Sequence, residues 1–150
     1  MKRIVCTRPD GGISIVVPTI SVDDPAGFTE ADALQRARAN VPSDAVSTRD
    51  VEASALPSSR VFRDAWVLSG ASIVVDMPRA RTIHRERIRQ RAAVLIARAD
   101  ADWISAEQNH DNAAKAAALA RKLALVAAPN DPAIAAATTP EQLAAVDPVP

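Results

Sequence analysis

The sequence predicts an α+β fold: a small N-terminal head containing a β-hairpin and one helix, followed by a long antiparallel helical hairpin. Two observations carry this. Residues 2 to 17, KRIVCTRPDGGISIVV, set two β-branched runs around a Pro-Asp-Gly-Gly turn. Residues Asp76 to Gln108 form a stretch with no glycine and no proline after Pro78, about 45 to 50 Å long if helical. The expected divisions are a head over 1–75, the helical hairpin over 76–128, and a proline-containing segment with a short helix over 129–150.

In chain order, Pro9, Asp10, Gly11 and Gly12 supply the constrained and positive φ values of a tight turn between two strands. Pro18 ends the second strand and Ser21 to Gly27 reads as a loop. Thr29 followed by Asp32 resembles a capping box, and Ala33, Leu34, Ala37 and Val41 mark a short amphipathic helix over about residues 30 to 40, closed by Pro42. Ala45 to Glu52 alternates poorly and reads either as a strand or as a loop. Ser59 is placed to cap one helical turn through VFRDAW, with Phe62 and Trp66 on a shared face. Ala71 to Val75 reads as a strand entering the long helix, so the head has two to four strands with one helix on them.

Asp76 suits the N-cap of the long helix and Pro78 its first turn. Ile88, Ala92, Leu95, Ala99, Trp103 and Ala106 recur at spacings of three and four and form one stripe. The polar turn NHDN at 109–112 leads to a second helix from Ala113 to Val126. Its predicted stripe is Ala113, Ala116, Ala120, Leu123 and Ala127, with Leu95, Leu119, Leu123, Val126 and Trp103 giving the seam its bulk. Pro129 and Pro132 stop this helix, Ile134 to Ala137 adds a turn, and a last short helix from Thr139 carries Leu143 and Val146. The end, Asp147 to Pro150, is expected to be extended.

The 150 residues carry eighteen basic and eighteen acidic side chains, a net charge of zero that argues against a general polyanion binder. Much of the hydrophobic fraction of 48% is alanine, and the aromatics are Phe28, Phe62, Trp66 and Trp103, so the core is thin and oligomerisation is one source of the missing stability. Cys6 is the single cysteine, which excludes an intrachain disulfide and a cysteine-based zinc site and suits a buried strand position. No secretory signal is read at the start, and no run approaches the ~18 apolar residues of a membrane span.

For chemistry, the local anomaly is Arg79, Arg81, Arg85, Arg87, Arg89 and Arg91, broken by Glu86. Such a run meets phosphates, an acidic protein surface, or solvent and intrahelical partners. Helical spacing spreads it around the circumference and no aromatic interleaves it, so a protein interface is favoured over nucleic acid. Trp66 and Trp103 are the two large side chains available as core residues or interface anchors. His84 and His110 lie at opposite ends of the long helix, about 40 Å apart, and cannot share a metal within one chain; both are expected at the surface. Asp100 and Asp102 do not share a helix face, which removes a paired-carboxylate site, while Asp102 is placed to bond across the hairpin seam. Ser58 and Ser59 have no base and orienting acid near them in sequence. No catalytic, cofactor or metal residues are assigned, and the chain is read as non-enzymatic.

The segments MKRIVCTRPDGG, RVFRDAW and DMPRARTIHRERIR resemble a group of small proteins encoded by tailed bacteriophages and prophages. The later half, with its Ala-Asp-Ala-Asp-Trp, alanine-rich helix and TPEQLAAV, is similar to the C-terminal helical hairpin of tail-fibre assembly proteins, differing in its short polar loop. The resemblance implies a phage virion component made in the host cytoplasm, of the tail or fibre attachment region. It would act by packing on other phage structural proteins, as a homo-oligomer within an assembly and without a membrane. The alternatives are a tail-fibre assembly chaperone absent from the finished virion, and a small nucleic-acid-binding regulator using the arginine helix.

Overall fold

The fold is given by a computed structural model that describes residues 1–70 and 72–149. It is α+β, and the chain divides into two compact units, Met1–Asp76 and Met77–Pro150. Residues 129–150, which the sequence sets apart, fall in the second unit with the helical hairpin.

The first unit is organised on strand β1 (Lys2–Thr7), the centre of a three-stranded antiparallel sheet. It pairs on one side with β2 (Ile13–Val16), in a register that places Val5 opposite Ile15. The connecting turn is closed by the Arg8 and Gly12 backbones at 2.8 Å, with Gly11 at φ 77°, where a side chain would be strained. Helix α1 (Glu30–Ala37) begins with the expected capping box: the Asp32 N–H donates to the Thr29 hydroxyl, and the Asp32 carboxylate accepts from the Thr29 N–H. The Thr29 hydroxyl also donates to the Asp32 carboxylate at 2.6 Å, and this bond first, then the one from the Thr29 N–H, holds that carboxyl below its ordinary pKa. The ambiguous stretch after Pro42 becomes β3 (Ser47–Glu52) on the other edge of β1.

The expectation of a helical turn carrying both Phe62 and Trp66 needs correction. Only Arg63–Ala65 turns, as 3₁₀ helix without a side-chain cap; Ser59 instead accepts from the Val61 N–H at 3.4 Å. Trp66 is already extended (φ −71°, ψ 135°) and opens strand β4 (Trp66–Ser69), which pairs antiparallel with β5 (Ser72–Val75). Ala71, the first residue of the expected strand, lies outside the described residues. Among the described residues the head therefore has five strands in two sheets, more than the two to four expected.

Both faces of β1 are covered, as the alternation of strand side chains requires when three successive residues are buried. Ile4 and Cys6 pack toward α1 with Ala37, Leu34 and Val41. Val5 points the other way, into a cluster with Ile13, Val51, Trp66 and Ile73. Burial raises the pKa of the Cys6 thiol, and Cys6 is the small core residue its strand position suggests.

The second unit starts with α2 (Met77–Gln108), within a residue of its expected bounds, and α3 (Asn112–Ala127) folds back against it. His110 takes φ 56° in the turn, and the Asp111 carboxylate caps α3 by accepting from the Ala114 N–H at 2.9 Å. The chain continues through a 3₁₀ turn into α4 (Pro132–Ala136) and α5 (Pro140–Ala145), the latter opened by a Thr139–Gln142 capping box.

Of the α2 stripe, Ile88, Ala92, Ala99 and Ala106 are buried as expected. The α3 stripe is not the expected one: the buried residues are Ala118 and Leu125, whereas Ala113, Ala116, Ala120, Leu123 and Ala127 are exposed. Leu119, Leu123 and Val126, expected to fill the seam, also face outward.

The two-sided packing of β1 is checked by unfolding in urea. Ile4→Ala on one face and Ile73→Ala on the other should each cost about 2–5 kcal/mol, while Val22→Ala, at a fully exposed site, should stay within about 0.5 kcal/mol. A cost below about 1 kcal/mol for Ile4→Ala would mean that α1 does not seal that face of the sheet.

Candidate protein interface

Three ion pairs close the helical hairpin. Lys115 meets Glu107, Lys122 meets Asp100 at 2.7 Å, and Arg121 meets Asp102 at 2.8 Å. Asp102 thus makes the seam-crossing bond expected of it, and Asp100 makes a second one. By helical position, Lys115 and Lys122 lie on one side of the α3 seam residues and Arg121 on the other. The hairpin accordingly has two distinct faces.

One face holds an open groove of about 490 Å³, lined by Ala99, Asp100, Trp103 and Ile104 of α2 and by Ala118, Leu119 and Lys122 of α3. Trp103 is half-buried, with the Lys115 ammonium 5.0 Å from its ring centroid, an arrangement that leaves part of the indole open to the groove. Leu119 continues as a stripe with Leu123 and Val126 at spacings of four and three. These three are 48%, 60% and 53% exposed, and Ile104 across the groove is 53% exposed. Alanine at the seam is the cause: Ala99, Ala106 and Ala118 let the backbones approach closely, and larger side chains have no room between them.

Trp66, the other expected anchor, is 2% exposed in the core of the first unit. A side chain so enclosed has no surface to offer a neighbour, and its interface assignment is withdrawn.

The six arginines do not act as one patch. The Arg81 guanidinium donates to the Ala137 carbonyl at 2.8 Å, and Arg91 donates to the Asp147 carboxylate at 2.9 Å and to the Val149 carbonyl at 3.4 Å. Arg89 pairs with Glu86 one turn back. Arg79, Arg85 and Arg87 lie on the same half of α2, the first and second half-buried and the third exposed. His84, expected at the surface, is half-buried with Nε2 2.8 Å from the Val146 carbonyl, which requires the proton on that nitrogen. Two arginines and a histidine of α2 therefore hold this chain's own C-terminal segment. Its apolar residues Ile134, Leu143 and Val149 are buried. The end expected to be extended has no regular structure from Asp147 through Val149, and Pro150 lies outside the described residues. Sequence spacing gave no access to this clamp, since its partners lie 56 to 62 positions away.

Among the described residues, no three His, Cys, Asp or Glu side chains are grouped to hold a metal ion, and no helix is long and apolar enough to cross a membrane. No family model, curated protein or solved structure matches the chain.

The Arg91 hydrogen bond, chiefly, holds the Asp147 carboxyl below the usual aspartate range. A folded-state pKa depressed in this way contributes stability that is present above the unfolded pKa and lost as pH falls through the folded one. Protection of the Val149 amide, its exchange rate taken relative to the intrinsic rate at each pH, should therefore fall on acidification below about pH 4, and Arg91→Ala should lower that protection already at neutral pH. Equal exchange in the two proteins at neutral pH would exclude Arg91 as the clamp.

Proposed function

We propose that the chain is a non-enzymatic structural or accessory protein of a tailed-phage virion, of the tail or fibre attachment region, that works by packing helical hairpins against one another. The observation that carries the packing part is the apolar face of Trp103, Ile104, Leu119, Leu123 and Val126 on an otherwise closed hairpin. The resemblance of the N-terminal, RVFRDAW and arginine-helix segments to small phage proteins supports the setting.

The occupant favoured for that face is a second copy of the same hairpin. On this face α2 presents acids, Asp100 and Glu107, and α3 presents bases, Lys115 and Lys122. A two-fold axis parallel to the helices sets α2 of each copy over α3 of the other at the same height. Acids then meet bases while the leucine stripes close into a four-helix arrangement. A two-fold axis across the helices would stack α2 on α2, acid upon acid, and is disfavoured. An outer face of leucine and valine gains stability only when covered, and a partner that binds the folded state supplies it.

Light scattering on the purified chain at concentrations on the order of 100 μM should give about twice the 15.8 kDa monomer mass at low and at high salt. Leu123→Glu places a charge on an already exposed site and should yield a folded monomer. A wild-type monomer, or an unchanged mass for Leu123→Glu, would rule out this face as the contact. Detection of the chain in purified particles tests the setting: presence supports the structural role, and absence despite abundance in infected cells supports the assembly chaperone.

A further inference from the structure

The face of β1 that carries Val5 also carries Arg3, and the antiparallel register brings Ile15 and Val17 of the β2 side onto the same face. Leu56 and Trp66 complete an apolar wall. Arg60 and Arg63 stand at the 3₁₀ turn before β4, and with Arg3 they line the same cavity, of about 320 Å³. None of the lining residues is acidic. Among the described residues, no ion pair is formed by Arg3, Arg60 or Arg63. The nearest acids by sequence are otherwise placed: Glu52 faces the N-terminal ammonium at 3.8 Å, and Asp64 is exposed and outside the cavity wall.

Two of the lining residues also hold donors without acceptors. Trp66 is 98% enclosed, yet its Nε1–H has no hydrogen-bond partner, and Arg3 Nη1 is buried in the same condition. A buried donor without an acceptor is costly, and such groups are rare in folded proteins. Three cations around an apolar wall, with two orphan donors buried behind it, define a complement: an anionic head on an apolar body.

We propose that this cavity binds a small organic carboxylate, its head held by the guanidinium groups of Arg3, Arg60 and Arg63 and its body against Ile15, Val17, Leu56 and the Trp66 ring. A carboxylate matches the planar fork of arginine in a bidentate pair. As a monoanion it sheds less hydration than a phosphate dianion on entering a mostly apolar cavity. The volume is at the small end of ligand pockets, where about 300 Å³ is the lower bound, and admits a medium-length alkyl chain or one ring. This site is independent of the hairpin interface and does not depend on the virion reading.

The test uses octanoate as the probe and the full chain carrying Trp103→Phe, so that Trp66 is the single indole. Octanoate should change Trp66 emission saturably, and the indole N–H resonance of Trp66 in nitrogen-labelled protein should move in parallel as it or its surroundings gain an acceptor. The double variant Arg60→Gln/Arg63→Gln, at two exposed sites, should keep the unliganded melting curve and bind octanoate at least about tenfold more weakly, as loss of charge-assisted bonds requires. Neither 1-octanol nor inorganic phosphate should saturate over the same concentration range. No saturable change with octanoate, an equal response to octanol or phosphate, or unchanged affinity in a folded double variant would each overturn the proposal. Should the double variant fail to fold, the indole resonance and the octanol and phosphate comparisons on the parent chain decide it.

Discussion

The second unit is governed by a length mismatch: α2 has 32 residues and the helix that folds back on it has 16. About 24 Å of α2 is left without a helical partner from α3. That half still carries apolar residues, Ala80 and Ile88, which must be covered. The C-terminal segment packs along α2, and because it passes through short helices and irregular backbone it offers carbonyls that no regular structure satisfies. Long arginine side chains reaching out from a helix are suited to meet such carbonyls, as Arg81 and Arg91 do at Ala137 and Val149. The arginine run is thus concentrated where α3 is absent. Its distribution follows from what the long helix lacks there.

The first unit solves a different problem with one strand. Ile4, Val5 and Cys6 are all buried, which is possible only if each face of β1 has its own cover. One cover is α1, whose start is tied to the strand by the Glu30 carboxylate. That carboxylate accepts from the Lys2 N–H and lies 3.4 Å from the terminal ammonium. The backbone bond is the main cause of the lowered Glu30 pKa. The other cover is the β4–β5 hairpin, whose Trp66 is the largest buried side chain. Placing so large a residue over the end of a short strand leaves a cavity at its edge, and the odd-numbered face of β1 puts Arg3 beside it.

How far the fold was legible depends on the signal each element carries. The bounds of α2 were readable from Asp76, Pro78 and the absence of glycine, and the start of α1 from Thr29 and Asp32, because these are local signals. Strand β4 was missed because WVLS has no polar alternation, and because Phe62 and Trp66, four apart, mimic a helical pair. The phase of α3 was misread for a physical reason: with alanine at Ala113, Ala114, Ala116, Ala117, Ala118 and Ala120, several stripes satisfy the same periodicity. The observed phase buries Ala118 and Leu125 and stands Lys115 and Lys122 beside Glu107 and Asp100. The two tryptophans could not be told apart from sequence, as core and interface make the same demand for apolar area. The clamp on the C-terminal segment and the Arg3–Trp66 cavity were invisible because each joins residues far apart in the chain.

The division of α2 also determines where a neighbour can dock. Toward its first half, Arg81, His84 and Arg91 of the helix are already bound to the chain's own C-terminal segment. Along Ala99 to Glu107 α2 is opposed by an alanine-rich helix that approaches closely and turns its leucines outward. Close approach and outward bulk are one consequence of the same choice: a seam of small side chains cannot also enclose large ones. A seam of leucines would have given a thicker hairpin, self-sufficient in water and inert toward partners. The alanine seam trades that self-sufficiency for an apolar surface carried on two regular helices and flanked by Asp100–Lys122 and Glu107–Lys115. A surface fixed before association loses little conformational entropy on binding, which is the condition under which a small apolar face can support a specific contact.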